Sequence, residues 1–141
     1  MSEFASKIGF GYDHIEEAWP IIDPGIRVVG SRILVQIRSP KLKTAGGLIL
    51  PAETVETELA NTQVAKVIGV GPLCFRNRNT MDLWPEGEWC SVGDFVRVPR
   101  YGGDRWEMPT GDERTAQFVI FKDLDIIGLV TGDPLAMRAF L

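Results

Sequence analysis

Arg32-Ile33-Leu34-Val35-Gln36-Ile37-Arg38 alternates in steps of two. Ile33, Val35 and Ile37 fall on one face of an extended strand, and Arg32, Gln36 and Arg38 fall on the other. Pro40 ends the ladder, because it has no amide proton to donate. The same texture recurs downstream at 63–70, 94–98, 117–121 and 125–130. Each of these runs is rich in β-branched residues and bounded by Gly, Pro or Asp. Fifteen glycines and nine prolines supply the turns. After residue 25 no long segment carries a helical apolar stripe. Five or more short strands in 141 residues predict an all-β fold, a small barrel or sandwich.

That length suits one domain able to bury about two thirds of its surface without disulfides or metal. Hydrophobic residues at 45% and charged residues at 24% exclude wholesale disorder and coiled-coil structure. One histidine (His14) and two cysteines (Cys74, Cys90) leave no CxxC, no HExxH and no metal cage. No cofactor is called for. With 15 Lys+Arg against 19 Asp+Glu, no general affinity for nucleic acid is expected. Residues 26–43 hold five bases and no acid, a pattern expected of a solvated strand edge. The opening Met-Ser-Glu-Phe lacks the charge and apolar pattern of a secretion signal. The longest charge-free runs, 44–52 and 67–75, are nine residues each, against the about 20 that a spanning helix needs. A cytoplasmic protein with reduced thiols and no membrane partner is the expectation.

Two connections, 39–62 and 71–91, are too long for simple hairpin turns, and long loops in small domains usually carry function. Within the first, Leu48-Ile49-Leu50 interrupts an otherwise polar stretch. Burying each side chain is worth about 1.5–3 kcal/mol, so the triplet is either a short core strand or a segment that docks on a partner. Gly46-Gly47 ahead of it favours docking, since two glycines make a hinge.

Thr44-Ala45-Gly46-Gly47-Leu48-Ile49-Leu50-Pro51 resembles the mobile loop of the GroES-like co-chaperonins, the 10-kDa chaperonin family. Ile26-Arg27 followed by Ser31-Arg32-Ile33-Leu34-Val35 is similar to that family's opening strand. Gln63-Val64-Ala65-Lys66-Val67-Ile68-Gly69-Val70-Gly71 resembles the strand after the loop. Val92-Gly93-Asp94-Phe95-Val96 and Asp123-Leu124-Asp125-Ile126-Ile127-Gly128-Leu129-Val130 resemble its V-G-D-x-V segment and closing strand. The resemblance covers 26–130, with 1–25 as an N-terminal extension and 131–141 as a C-terminal tail.

The resemblance implies a partner rather than a reaction. It implies a small GroES-like β-barrel with a mobile loop (39–62) and a roof hairpin (71–91), assembled into a homo-heptameric ring. Such a ring caps a GroEL-type chaperonin, the ATP-binding partner, and closes a folding chamber over an unfolded client. Leu48, Ile49 and Leu50 would be the anchors, with Gly46 and Gly47 allowing the bend. A triplet offers about 4–7 kcal/mol, while ordering each loop residue costs about 1–2 kcal/mol. One loop therefore binds weakly, and a ring of loops gains avidity of about 10²–10⁴. Trp84 and Trp89 would belong to the roof, and Tyr101 would face the cavity. The roof segment is longer than usual, which together with the added ends suits a phage-encoded or otherwise specialised member.

In the second loop, Pro85-Glu86-Gly87 is a plausible turn. A hairpin turning there leaves Cys74 and Cys90 unpaired, whereas one turning near Thr80–Asp82 could bring them together. Free thiols are expected, and Arg76 and Arg78 are expected to be solvated. Phe4, Ile8, Tyr12, Ile15, Ala18, Trp19 and Ile22 recur at helical steps, with a helix over 12–19 before Pro20. A short apolar helix is also expected within 131–141. Two alternatives remain at this point: a non-enzymatic virion or assembly subunit, and an enzyme using Cys74 or Cys90 with His14. The second lacks any motif.

Overall fold

The computed structural model of the chain describes residues 15–39, 63–111 and 114–137. Strand β1 (Arg32–Ile37) is the centre of the architecture. It pairs antiparallel with β2 (Val64–Val70) on one side and with β5 (Thr115–Lys122) on the other. Strand β3 (Phe95–Arg97) lies beyond β2, and the two-residue β6 (Gly128–Leu129) lies beyond β3. Strand β4 (Asp104–Pro109) lies outside β5. The order is therefore β4-β5-β1-β2-β3-β6, antiparallel throughout, so the expected all-β class holds.

The alternation read in β1 points Ile33, Val35 and Ile37 into one interior. They meet Ala65 and Val67 of β2, Val96 of β3, and Val119 and Phe121 of β5. The opposite face of β1 departs from expectation. Gln36 is 1% exposed and Arg38 4% exposed, where a solvated edge was predicted. The residues before β1 cover this face. Val28 packs with Leu34, Ala116 and Phe118, joined by Ile22, Trp106 and Met108. Gln36 Nε2 donates to the Pro20 carbonyl oxygen at 2.8 Å, so its buried amide is satisfied.

Two further points differ from the sequence reading. Strand β4 was not anticipated, although Trp106 and Met108 alternate inward between the outward Arg105 and Glu107. The strand expected over 125–130 shrinks to Gly128–Leu129, because a 3-10 turn occupies Asp123–Asp125. The N-terminal helix appears as α1 (Ile15–Ala18), with its expected first residues, and His14, outside the described residues. Of the expected C-terminal helix, the described part forms one turn. Asp133 accepts from the Leu135 amide through Oδ1 at 3.0 Å and from the Ala136 amide through its carbonyl at 3.1 Å.

Candidate functional site

Segment 39–62 leaves and rejoins the sheet at one end, since Ile37 pairs with Ala65 across β1 and β2. Both exits are held. The Ser39 amide donates to the Ala18 carbonyl at 2.7 Å, and Ser39 Oγ donates to the Thr115 carbonyl at 3.0 Å. On the return, the Val98 amide donates to the Gln63 carbonyl at 2.8 Å. Gly46, Gly47, Leu48, Ile49 and Leu50 lie outside the described residues.

The second loop is built on its own turn chemistry. The chain reverses at Asn77–Asp82, which matches the alternative near Thr80–Asp82 rather than the turn at Pro85–Gly87. The Asn77 amide donates to the Asp82 carbonyl, and Asn77 Oδ1 accepts from the Asn79 and Thr80 amides. Trp84-Pro85-Glu86-Gly87 does form a turn, but a secondary one, with the Gly87 amide on the Trp84 carbonyl at 2.7 Å. Arg76 and Arg78 are not idle surface charges. Arg76 Nη1 donates to the Met81 carbonyl at 3.0 Å and Arg78 Nη1 to the Leu73 carbonyl at 2.9 Å. Met81 and Leu83 are exposed near the tip.

The base of this hairpin is fused to the interior. Phe75 is fully buried and adopts φ 63°, a left-handed backbone uncommon for a bulky residue. The Asp123 carboxylate, itself buried, holds it by accepting from the Phe75 amide at 2.8 Å, and Arg78 lies 3.6 Å away. Trp84 and Trp89 pack against the same interior, with the Trp89 ring 5.4 Å from that of Phe75. Trp89 also borders a groove of about 440 Å³ with Glu86, Ile127 and Leu129. Tyr101 is 79% exposed at the turn between β3 and β4. Arg105 braces that turn by donating to the Gly102 and Arg100 carbonyls.

Cys74 and Cys90 are free thiols in this interior. Burial, reinforced by Asp123, pushes the Cys74 thiol up to about 11. Burial, reinforced by Asp94, does the same for Cys90. Such thiols are poor nucleophiles. Among the described residues, no group of three or more His, Cys, Asp or Glu is placed to hold a metal. None of the described helices is long and apolar enough to cross a membrane.

What the surface offers instead is apolar contact area at separate places. The edge strand β6 and its approach expose Ile127 (60%) and Leu129 (51%). A second groove, about 620 Å³, lies between Ile26, Val29, Val70, Pro72 and Val92.

A family model described as Chaperonin 10 Kd subunit matches residues 25–130. The chain belongs to that family. It is also 33% identical over 102 residues to the mitochondrial 10 kDa heat shock protein of Saccharomyces cerevisiae, covering 72% of this chain and 85% of that protein. As a 10-kDa chaperonin subunit, the chain is a GroES-like co-chaperonin and not an enzyme, which removes both the thiol-enzyme and virion-subunit alternatives. The relevant partners are a GroEL-type chaperonin and its client proteins. The sequence reading missed the bracing roles of Asp123, Arg76 and Arg78, because hydrogen bonds between distant segments leave no spacing signal.

Proposed function

We propose that this co-chaperonin caps a GroEL-type cylinder by docking Leu48-Ile49-Leu50, with Gly46-Gly47 as the bend, and so closes a chamber around a client. The observation that carries this reading is the anchoring of Ser39 and Gln63 at one end of the sheet. Both ends of the segment are thereby fixed by hydrogen bonds at the same end of the sheet. Three adjacent aliphatics on it supply the apolar area that a hydrophobic groove on the partner would cover. The two free, buried thiols suit a reducing compartment such as the cytoplasm.

The same reading makes the assembly a homo-heptameric ring. In this proposal the exposed Ile127 and Leu129 of one copy pack head-to-tail in the groove lined by Ile26 and Val29 on the next, an arrangement supported by the exposure of both apolar patches. The hairpin over 71–91 then forms the roof, with Trp84 and Trp89 stiffening its base, and Tyr101 stands toward the cavity. Ile49→Asp should abolish capture by the chaperonin in the presence of nucleotide while leaving the native mass of the ring unchanged. A variant still captured at wild-type level would remove the triplet from the docking role.

A further inference from the structure

Residues 15–24 and 131–137 lie outside the family match, yet they are tied to the fold at a functional place. Trp19 is fully buried and meets Phe95 edge-on, with ring centres 4.7 Å apart. Around it gather Ala18, Val64 and Leu135, with Val130 and Met137 at the rim. Val64 is the first residue of β2, where the 39–62 segment rejoins the sheet. At the other exit, the Ser39 amide donates to the carbonyl of Ala18, the residue next to Trp19. Arg114 Nη1 donates to the Glu17 carbonyl and Gln36 Nε2 to the Pro20 carbonyl, so the covering segment is fastened at several points. One aromatic cluster built from both ends of the chain therefore touches both exits.

We propose that residues 15–24 and 133–137 form a clamp that fixes where the 39–62 segment leaves and rejoins the sheet, with Trp19 as a positioning residue for chaperonin docking. The inference rests on the co-chaperonin reading above and adds to it a determinant outside the matched region. Fixed exits set in advance where a docking segment begins and ends, so less freedom is lost on binding. In a ring, a small gain at each segment multiplies across all that engage together.

The test compares the full-length protein with Trp19→Leu, which keeps an apolar side chain but loses the edge contact, and with Trp19→Phe, which restores a ring against Phe95. Three quantities are read: native ring mass, amide exchange at Ser39, and affinity for the chaperonin with nucleotide. Trp19→Leu should keep the ring mass and the slow exchange of the β1 and β5 amides. Its Ser39 amide should exchange about tenfold faster or more, and its chaperonin affinity should fall about tenfold. Trp19→Phe should recover both. A Trp19→Leu ring that binds as tightly as wild type while Ser39 exchanges fast overturns the proposal. So does fast Ser39 exchange in the unaltered protein, a measurement that requires no variant to fold. If the unaltered protein protects Ser39 but does not bind the chaperonin, the co-chaperonin reading fails and the clamp loses its docking role.

Discussion

At Asp123 one buried carboxylate accepts from the Phe75 and Leu124 amides and faces Arg78, so it holds a left-handed Phe75 in place. Asp123→Asn keeps the shape, loses the charge, and turns an amide donor toward backbone donors. It should lower stability by about 1–3 kcal/mol in urea denaturation. Cys74 and Cys90 make a second residue-level prediction. Their thiols sit at about 11 in the fold against an ordinary 9.0, so the folded state favours the protonated form. That preference adds stability in full below pH 9. It is lost as pH rises from 9 toward 11, because the unfolded chain ionises first. Urea midpoints should therefore fall across that window, and a Cys74→Ala/Cys90→Ala variant should show a shallower fall. Asp123 was readable only as part of a family-like closing strand, since its amide partner lies 48 positions away along the chain.

Among the elements, the turn joining β2 to the hairpin is the least tolerant of added bulk. A Cβ on Gly71 would stand 2.1 Å from the Gly30 carbonyl oxygen, backbone that cannot rotate aside. Gly71→Ala should cost about 1–3 kcal/mol by forcing the Gly30–Ser31 turn outward, measured as a lower midpoint at unchanged slope. The central strand was legible in its period-two alternation because Ile33, Val35 and Ile37 alone meet the main interior. The burial of Gln36 was not, because it is conferred by the segment around Pro20 that covers it rather than by the strand itself. Strand β4 was hidden by Asp104, Arg105 and Glu107, charges that an edge strand carries on its open side. Of the two turn positions the sequence left open, Pro-Glu-Gly carries the stronger local signal. The Asn77 side chain makes the reversal instead, by capping two amides.

For the whole molecule, docking and assembly should come apart under mutation. Leu129→Glu places a carboxylate on the exposed edge of β6 and should convert the ring to smaller species by native mass, while the isolated fold keeps its β-sheet circular dichroism. Ile49→Asp should do the reverse, sparing the ring and losing the chaperonin. Leu48-Ile49-Leu50 stood out as three aliphatics in a polar, glycine-hinged stretch, a pattern that by itself suits a core strand as well as the docking proposed above. The clamp was not, because Trp19 and Leu135 carry no mutual signal until the fold brings the two ends together.

The place of β1 between β2 and β5 also sets a timetable. During synthesis β1 emerges early, and Ala65, its partner for Ile37 on one flank, follows after the 39–62 segment. Gln117, the partner on the other flank, is made only after β2, the hairpin, β3 and β4. Until then the nascent chain carries a β-rich strand with one flank open, the kind of edge that recruits other chains. A co-chaperonin built this way passes through a stage in which it is itself a candidate client.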